Sequence, residues 1–190
     1  MAYGFRPVQK AGAGYNTGGF IELPIDGDLY GTAIFNGDTV KYNPNSTAAT
    51  AGIAVNASPL DNNDSLGILV GARWVDSTGS PKWGQSYDGS STNTECQAFV
   101  APLTDTIFMV QGDGAWDDKY IGWLNIPGNG SGGSTSTGNS SMNIALAAAN
   151  GSNAPCVIVG VRKDGANDVT STTPDVYVRW ITAAIQQPMG

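Results

Sequence analysis

The chain has no histidine. That absence removes Ser-His-Asp and Cys-His nucleophile machinery, histidine-based zinc sites and the commonest general base. Charge is scarce too: only 13% of the 190 residues are Asp, Glu, Lys or Arg, against about 25% in an ordinary soluble domain. The 9 Lys and Arg residues are scattered, and 16 acids bring the formal charge to −7. Nucleic-acid binders need a basic footprint to release counterions, so no nucleic-acid partner is expected. No apolar run approaches the roughly 18 residues of a spanning helix, so no membrane partner is expected either. The opening residues lack the continuous apolar core of a secretion signal, which points to synthesis and assembly in a cytoplasm. Cys96 and Cys156 stand far apart and in no metal-binding spacing. In a reducing compartment they read as thiols in strands.

What is present is glycine, 26 residues of it, with much Asn, Ser and Thr. Many turns and hydroxyl-bearing strand faces follow, so the expected class is all-β: a β-sandwich or a partly open β-barrel. Residues 1–19 hold Gly12, Gly14, Gly18 and Gly19 without sustained periodicity, and read as an extended N-terminal arm. Residues 20–190 read as a single β domain. Strands are expected near 20–25, 30–35, 38–42, 51–56, 66–75, 95–101, 105–111, 120–126, 155–162 and 175–185. Asn36-Gly37 predicts a type I′ hairpin joining Thr32–Phe35 to Thr39–Tyr42. Asp26-Gly27 and Asp164-Gly165 are weaker turn signals. Leu66–Val70 is apolar on both faces, which predicts a central strand. Val176, Val178 and Trp180 alternate with Tyr177 and Arg179, the mark of a half-buried strand. Met142, Ile144 and Leu146 also keep a period of two, although Ala147–Ala149 followed by Asn150-Gly151 would suit a helix end. Residues 128–141, rich in Gly, Ser, Thr and Asn, read as a flexible surface loop.

Carboxylate chemistry needs only two acids across a cleft, but most acids here stand in turn contexts where they solvate or close Asx turns. Asp61 with Asp64, and Asp113 with Asp117 and Asp118, are the two clusters with calcium-like ligands. Neither completes the calcium loop that ends in a bidentate Glu. Gly12-Ala13-Gly14 neither follows a strand nor opens a helix, so it is no phosphate cradle. Trp74, Trp83, Tyr87, Trp116, Tyr120 and Trp123 are the aromatic set from which a carbohydrate platform would be built. Burial in core or subunit interface is the competing use, and it is the expectation for Trp74 and Trp123.

Several segments in order resemble virion structural proteins of marine and freshwater tailed phages. The resemblance begins with Ala2-Tyr3-Gly4-Phe5-Arg6-Pro7-Val8, Asn16-Thr17-Gly18-Gly19-Phe20 and Pro24-Ile25. It continues through Ile34–Val40, Leu66–Asp76 and Phe108–Gly114, and covers most of the chain apart from 128–153. It implies a non-enzymatic capsid decoration (cement) protein on the outer surface of the phage head. Such a protein bridges subunits of the major capsid protein, commonly as a homo-oligomer (trimer or dimer), with no cofactor and no catalytic residues to carry over. An acidic chain suits the outside of a shell packed with DNA, because like charges repel. Tyr3, Phe5 and Tyr15 are the expected assembly contacts of the arm. Other virion roles (tail, collar or fibre) and a carbohydrate-binding module are the alternatives.

Overall fold

A computed structural model describes residues 3–10, 19–25, 31–42, 52–55, 65–104, 106–128, 132–146 and 154–181. The first half of the chain forms β1 (Arg6–Lys10), β2 (Ile21–Pro24), β3 (Thr39–Tyr42), β4 (Ile53–Val55), β5 (Ser65–Val75), β6 (Pro81–Gly84), β7 (Thr94–Pro102) and β8 (Thr106–Gln111). After a 3-10 turn at Asp118–Tyr120 come β9 (Leu124–Asn125), β10 (Pro127–Gly128), β11 (Gly133–Ser134), β12 (Asn139–Ser140) and β13 (Asn143–Ile144). The long pair β14 (Cys156–Val161) and β15 (Asp175–Trp180) closes the fold. There is no α-helix among the described residues.

Two antiparallel sheets dominate. One has five strands in the order β1-β8-β15-β14-β9; the other has β2-β7-β5-β3-β4, with β6 also paired to β5. Neither closes into a barrel, and the all-β architecture is consistent with a β-sandwich. Apolar burial divides into two clusters. The larger joins Phe108, Val110, Ile158, Val176, Val178 and Trp180 of the five-stranded sheet to Ile68, Ala101 and Leu103 from the six-stranded side. The smaller packs Leu69, Ala72, Ala98 and Val100 against Ile34, Ile53 and Tyr87. Successive side chains on a strand point to opposite faces, so β5 sends Ile68 into one cluster and Leu69 into the other. That double duty is why Leu66–Val70 is apolar on both faces. Met142, Ile144 and Leu146 are all fully buried, and the period of two belongs to a strand segment around β13. Residues 147–153 lie outside the described set.

Three expectations are corrected. Residues 3–10 are not a separate arm: β1 pairs with β8, placing Arg6 opposite Met109 and Pro7 opposite Phe108. Phe5 is fully buried, edge-on to Trp180 at 4.9 Å and to Phe108 at 6.5 Å. Enclosing a side chain of that size contributes about 1.5–3 kcal/mol, which anchors the N-terminal segment to the fold. The low-complexity stretch is largely organised as well. Its residues 133–134 and 139–140 pair as the β11–β12 hairpin, and Ser140 is buried; residues 129–131 lie outside the described set.

The Asn36-Gly37 turn forms, but it does not make a hairpin. Asp38 N–H donates to Phe35 O at 3.0 Å, closing the turn, while β3 pairs with β4 and β5 rather than with 32–35. The turn is a junction instead. Gly37 N–H donates to Leu69 O at 2.9 Å, Phe5 N–H donates to Gly37 O at 3.0 Å, and Asn36 N–H donates to Gly138 O at 2.9 Å. Gly37 has a φ of +93°, a left-handed conformation that favours glycine. A Cβ there would stand 2.6 Å from Tyr3 O and 2.8 Å from Phe5 N.

Beside this junction Asp38 is fully buried. Its Oδ2 accepts from Phe35 N–H at 2.8 Å, and the Ser140 hydroxyl also bonds the carboxyl. Oδ1 has no hydrogen-bond partner among the described residues. Burial pushes the carboxyl up to about 6, against the lowering effect of those two donors.

Candidate functional site

Of the three expected assembly contacts, Phe5 is a core residue and Tyr15 lies outside the described residues. Tyr3 is half-buried and tied down: its hydroxyl donates to Asp175 Oδ1 at 2.5 Å, and the Arg6 guanidinium lies 4.2 Å from its ring centroid. Burial, then the bond to Asp175, hold the phenol well above its usual range. Asp175 also takes Arg162 Nη1 at 3.2 Å. Tyr3, Arg6, Asp175 and Arg162 thus form an ordered polar edge at one end of the five-stranded sheet.

The broader surface beside that edge is the outward face of the same sheet. Along β8 the buried Phe108 and Val110 alternate with half-buried Ile107 and Met109; along β15 buried Val176 and Val178 alternate with half-buried Tyr177. β14 adds half-buried Val157 and exposed Val159, and Val8 stands exposed in β1. Val8, Gln9, Ile107, Val159 and Tyr177 line a shallow depression on this face. The five strands carry Arg6, Lys10 and Arg179 against one acid, Asp175, in a chain of formal charge −7. An uncharged patch containing Tyr and Met, with Arg at its margin, has the composition of an interface centre.

Sequence reasoning missed this surface. The signal was there in Ile107–Val110 and Cys156–Val159, which are apolar on both faces. In an antiparallel sheet one face is commonly solvated, so such strands mark a face that gains from being covered.

The six aromatics do not form one platform. Trp74 is half-buried and meets buried Tyr87 edge-on at 5.8 Å, so its role is packing. Trp123, Tyr120 and Trp116 are half-buried and meet in tilted pairs, with planes 63° and 80° apart. Only Trp83 is largely exposed, at 69%. It lies against Phe99, which sequence reasoning did not include.

The acids of the described calcium-like cluster serve local bonds. Asp113 Oδ1 accepts from Leu146 N–H at 2.7 Å, Asp117 Oδ1 from Lys119 N–H at 3.1 Å, and Asp118 Oδ1 from Trp116 Nε1 at 2.8 Å. Asp61 and Asp64 lie outside the described residues. Among the described residues no group of three or more His, Cys, Asp or Glu side chains is placed to hold a metal ion. Cys96 and Cys156 are buried thiols in different clusters, not joined by a disulfide, and burial pushes the Cys156 thiol well up. No protein-family profile, curated protein or solved structure matches this chain.

Proposed function

We propose that this chain is a non-enzymatic virion structural protein that decorates the outer surface of a tailed-phage head and braces the shell by bridging capsid subunits. The observation that carries the reading is the open apolar face of the five-stranded sheet, Val8, Ile107, Met109, Val157, Val159 and Tyr177, with Arg6 and Arg179 beside it. Covering such a face releases water from apolar area, and the arginines suit a shell surface that offers carboxylates. The ordered resemblance to phage virion proteins supplies the kind of partner. The protein acts as a homo-oligomer, in which several weak contacts on one particle raise the effective concentration of the next. Because it binds the assembled shell and not separated subunits, it stabilises the shell by linkage.

The test uses expanded shells that lack the protein. Wild-type protein occupies regular positions over the whole shell and raises the temperature of rupture. Val159→Asp and Arg179→Glu, both at exposed positions, lower occupancy by about tenfold or more, as expected for a buried contact. Binding confined to one vertex supports a collar or tail component instead. Full occupancy with an unmoved rupture temperature refutes cementing.

A further inference from the structure

We propose that the exposed patch of the six-stranded sheet around Trp83 is a binding site for the neutral sugar rings of a glycan. Trp83 stays 69% exposed although Phe99 lies nearly parallel to it, with ring centroids 5.7 Å apart and planes 10° apart. Strand pairing sets this arrangement. Trp83 of β6 is opposite Arg73 of β5, and Phe99 of β7 is opposite Gly71, two residues before Arg73 and so on the same face of that strand. Gly71 lies directly beneath Phe99: a Cβ there would make ordinary contact with Phe99 Cδ2 at 3.5 Å and a tighter one, 3.3 Å, with Gly84 O. The stack holds the indole in one orientation, so a ligand meets a flat apolar surface at little further entropic cost.

Polar groups stand at the margin of that surface. Arg73 lies with its guanidinium carbon 5.9 Å from the Trp83 centroid. Its Nε and Nη2 donate to Glu22 Oε1 at 2.7 and 2.5 Å. Both bonds fall on one carboxylate oxygen, which among the described residues leaves Oε2 to accept from a hydroxyl. Arg73 Nη1 is a donor close by. Both side chains are 44% exposed.

The combination selects the ligand class. A pyranose offers an apolar C–H face to an aromatic ring and a rim of hydroxyls that both donate and accept. The Glu22–Arg73 pair supplies an acceptor and a donor with no net local charge. An anionic ligand would face Glu22 and a chain of formal charge −7 with one cation already paired. An apolar protein partner would strip water from the ion pair without replacing its hydrogen bonds, which is costly. A neutral glycan avoids both penalties. The site belongs to the other sheet from the proposed shell-docking face, so neither depends on the other.

Titrate the full-length protein with maltohexaose, cellohexaose and mannohexaose, following tryptophan fluorescence and binding heat. At least one of these neutral oligomers binds and perturbs the fluorescence. Trp83→Ala weakens that binding by about tenfold or more, and Glu22→Gln weakens it by a smaller factor, in keeping with a lost stacking surface and a lost charged acceptor. Occupancy on shells is unchanged in Trp83→Ala. Saturation transfer between the Trp83 indole and the sugar in wild-type protein gives a readout that needs no variant. The inference is overturned if none of the three oligomers binds, if Trp83→Ala binds like wild type, or if that variant loses shell occupancy instead.

Discussion

Asp38→Asn isolates the cost of a charge enclosed at the junction of the two sheets. The carboxyl is fully buried, and burial raises it from 3.8 to about 6 despite its bonds to Phe35 N–H and Ser140. In the unfolded chain it titrates near its ordinary value, so between these two values the folded protein holds a proton that the unfolded chain has lost. The sign follows from linkage. Stability from this group is fully present below about pH 4 and is lost as pH rises through about 6. A shift of about two units corresponds to roughly 3 kcal/mol between those limits. Asparagine keeps an acceptor for Phe35 N–H and cannot ionise. Urea denaturation from pH 4 to pH 8 therefore gives the variant a flatter profile. The two proteins have similar stability near pH 4, and the variant leads by up to about 3 kcal/mol at pH 8. Exposed carboxylates such as Asp164 and Asp168, held low by their hydrogen bonds, lose their contribution as pH falls and act identically in both proteins. A difference between variant and wild type that stays constant across the range refutes the reasoning.

Two further outcomes test the fold. Phe5→Ala lowers unfolding free energy by about 3–5 kcal/mol, the range for an enclosed aromatic, whereas a detached arm would leave the urea midpoint unmoved. Gly37→Ala lowers it by about 2–4 kcal/mol, from backbone strain plus the clash with the Tyr3 and Phe5 backbone; a loss below 0.5 kcal/mol, the size of a neutral surface change, would mean the junction is not formed in solution.

The strands that sequence makes legible are those whose pattern is local. Val176, Val178 and Trp180 alternate because one face of β15 is enclosed, and the period alone reveals it. β1 is not legible in that way, since Arg-Pro-Val-Gln-Lys has no alternation and glycines surround it; its place follows from pairing with β8 and from Phe5 finding Trp180. The Asn36-Gly37 signal correctly gives a turn and misleads about partners, because a turn fixes local geometry while β3 pairs according to distant strands. Among the aromatics, nothing local distinguishes exposed Trp83 from half-buried Trp74. The difference arises at the β5–β6 turn, where Asp76 Oδ1 accepts from Thr78 and Ser80 N–H groups at 2.9 and 3.0 Å and sets the register that turns Trp83 outward.

The enclosure of Phe5 by Phe108 and Trp180 also sets an order of events during synthesis. Phe5 belongs to a cluster whose other walls, β8, β13, β14 and β15, lie far along the chain, between Thr106 and Trp180. Local turns can close early, but this cluster has to await β15. Folds dominated by such distant pairings form in milliseconds to seconds rather than microseconds. Until then Ile107–Val110 and the unpaired N-terminal edge stand open to other chains. Slower translation before β14 therefore prolongs the stage at which nascent copies are most prone to aggregate.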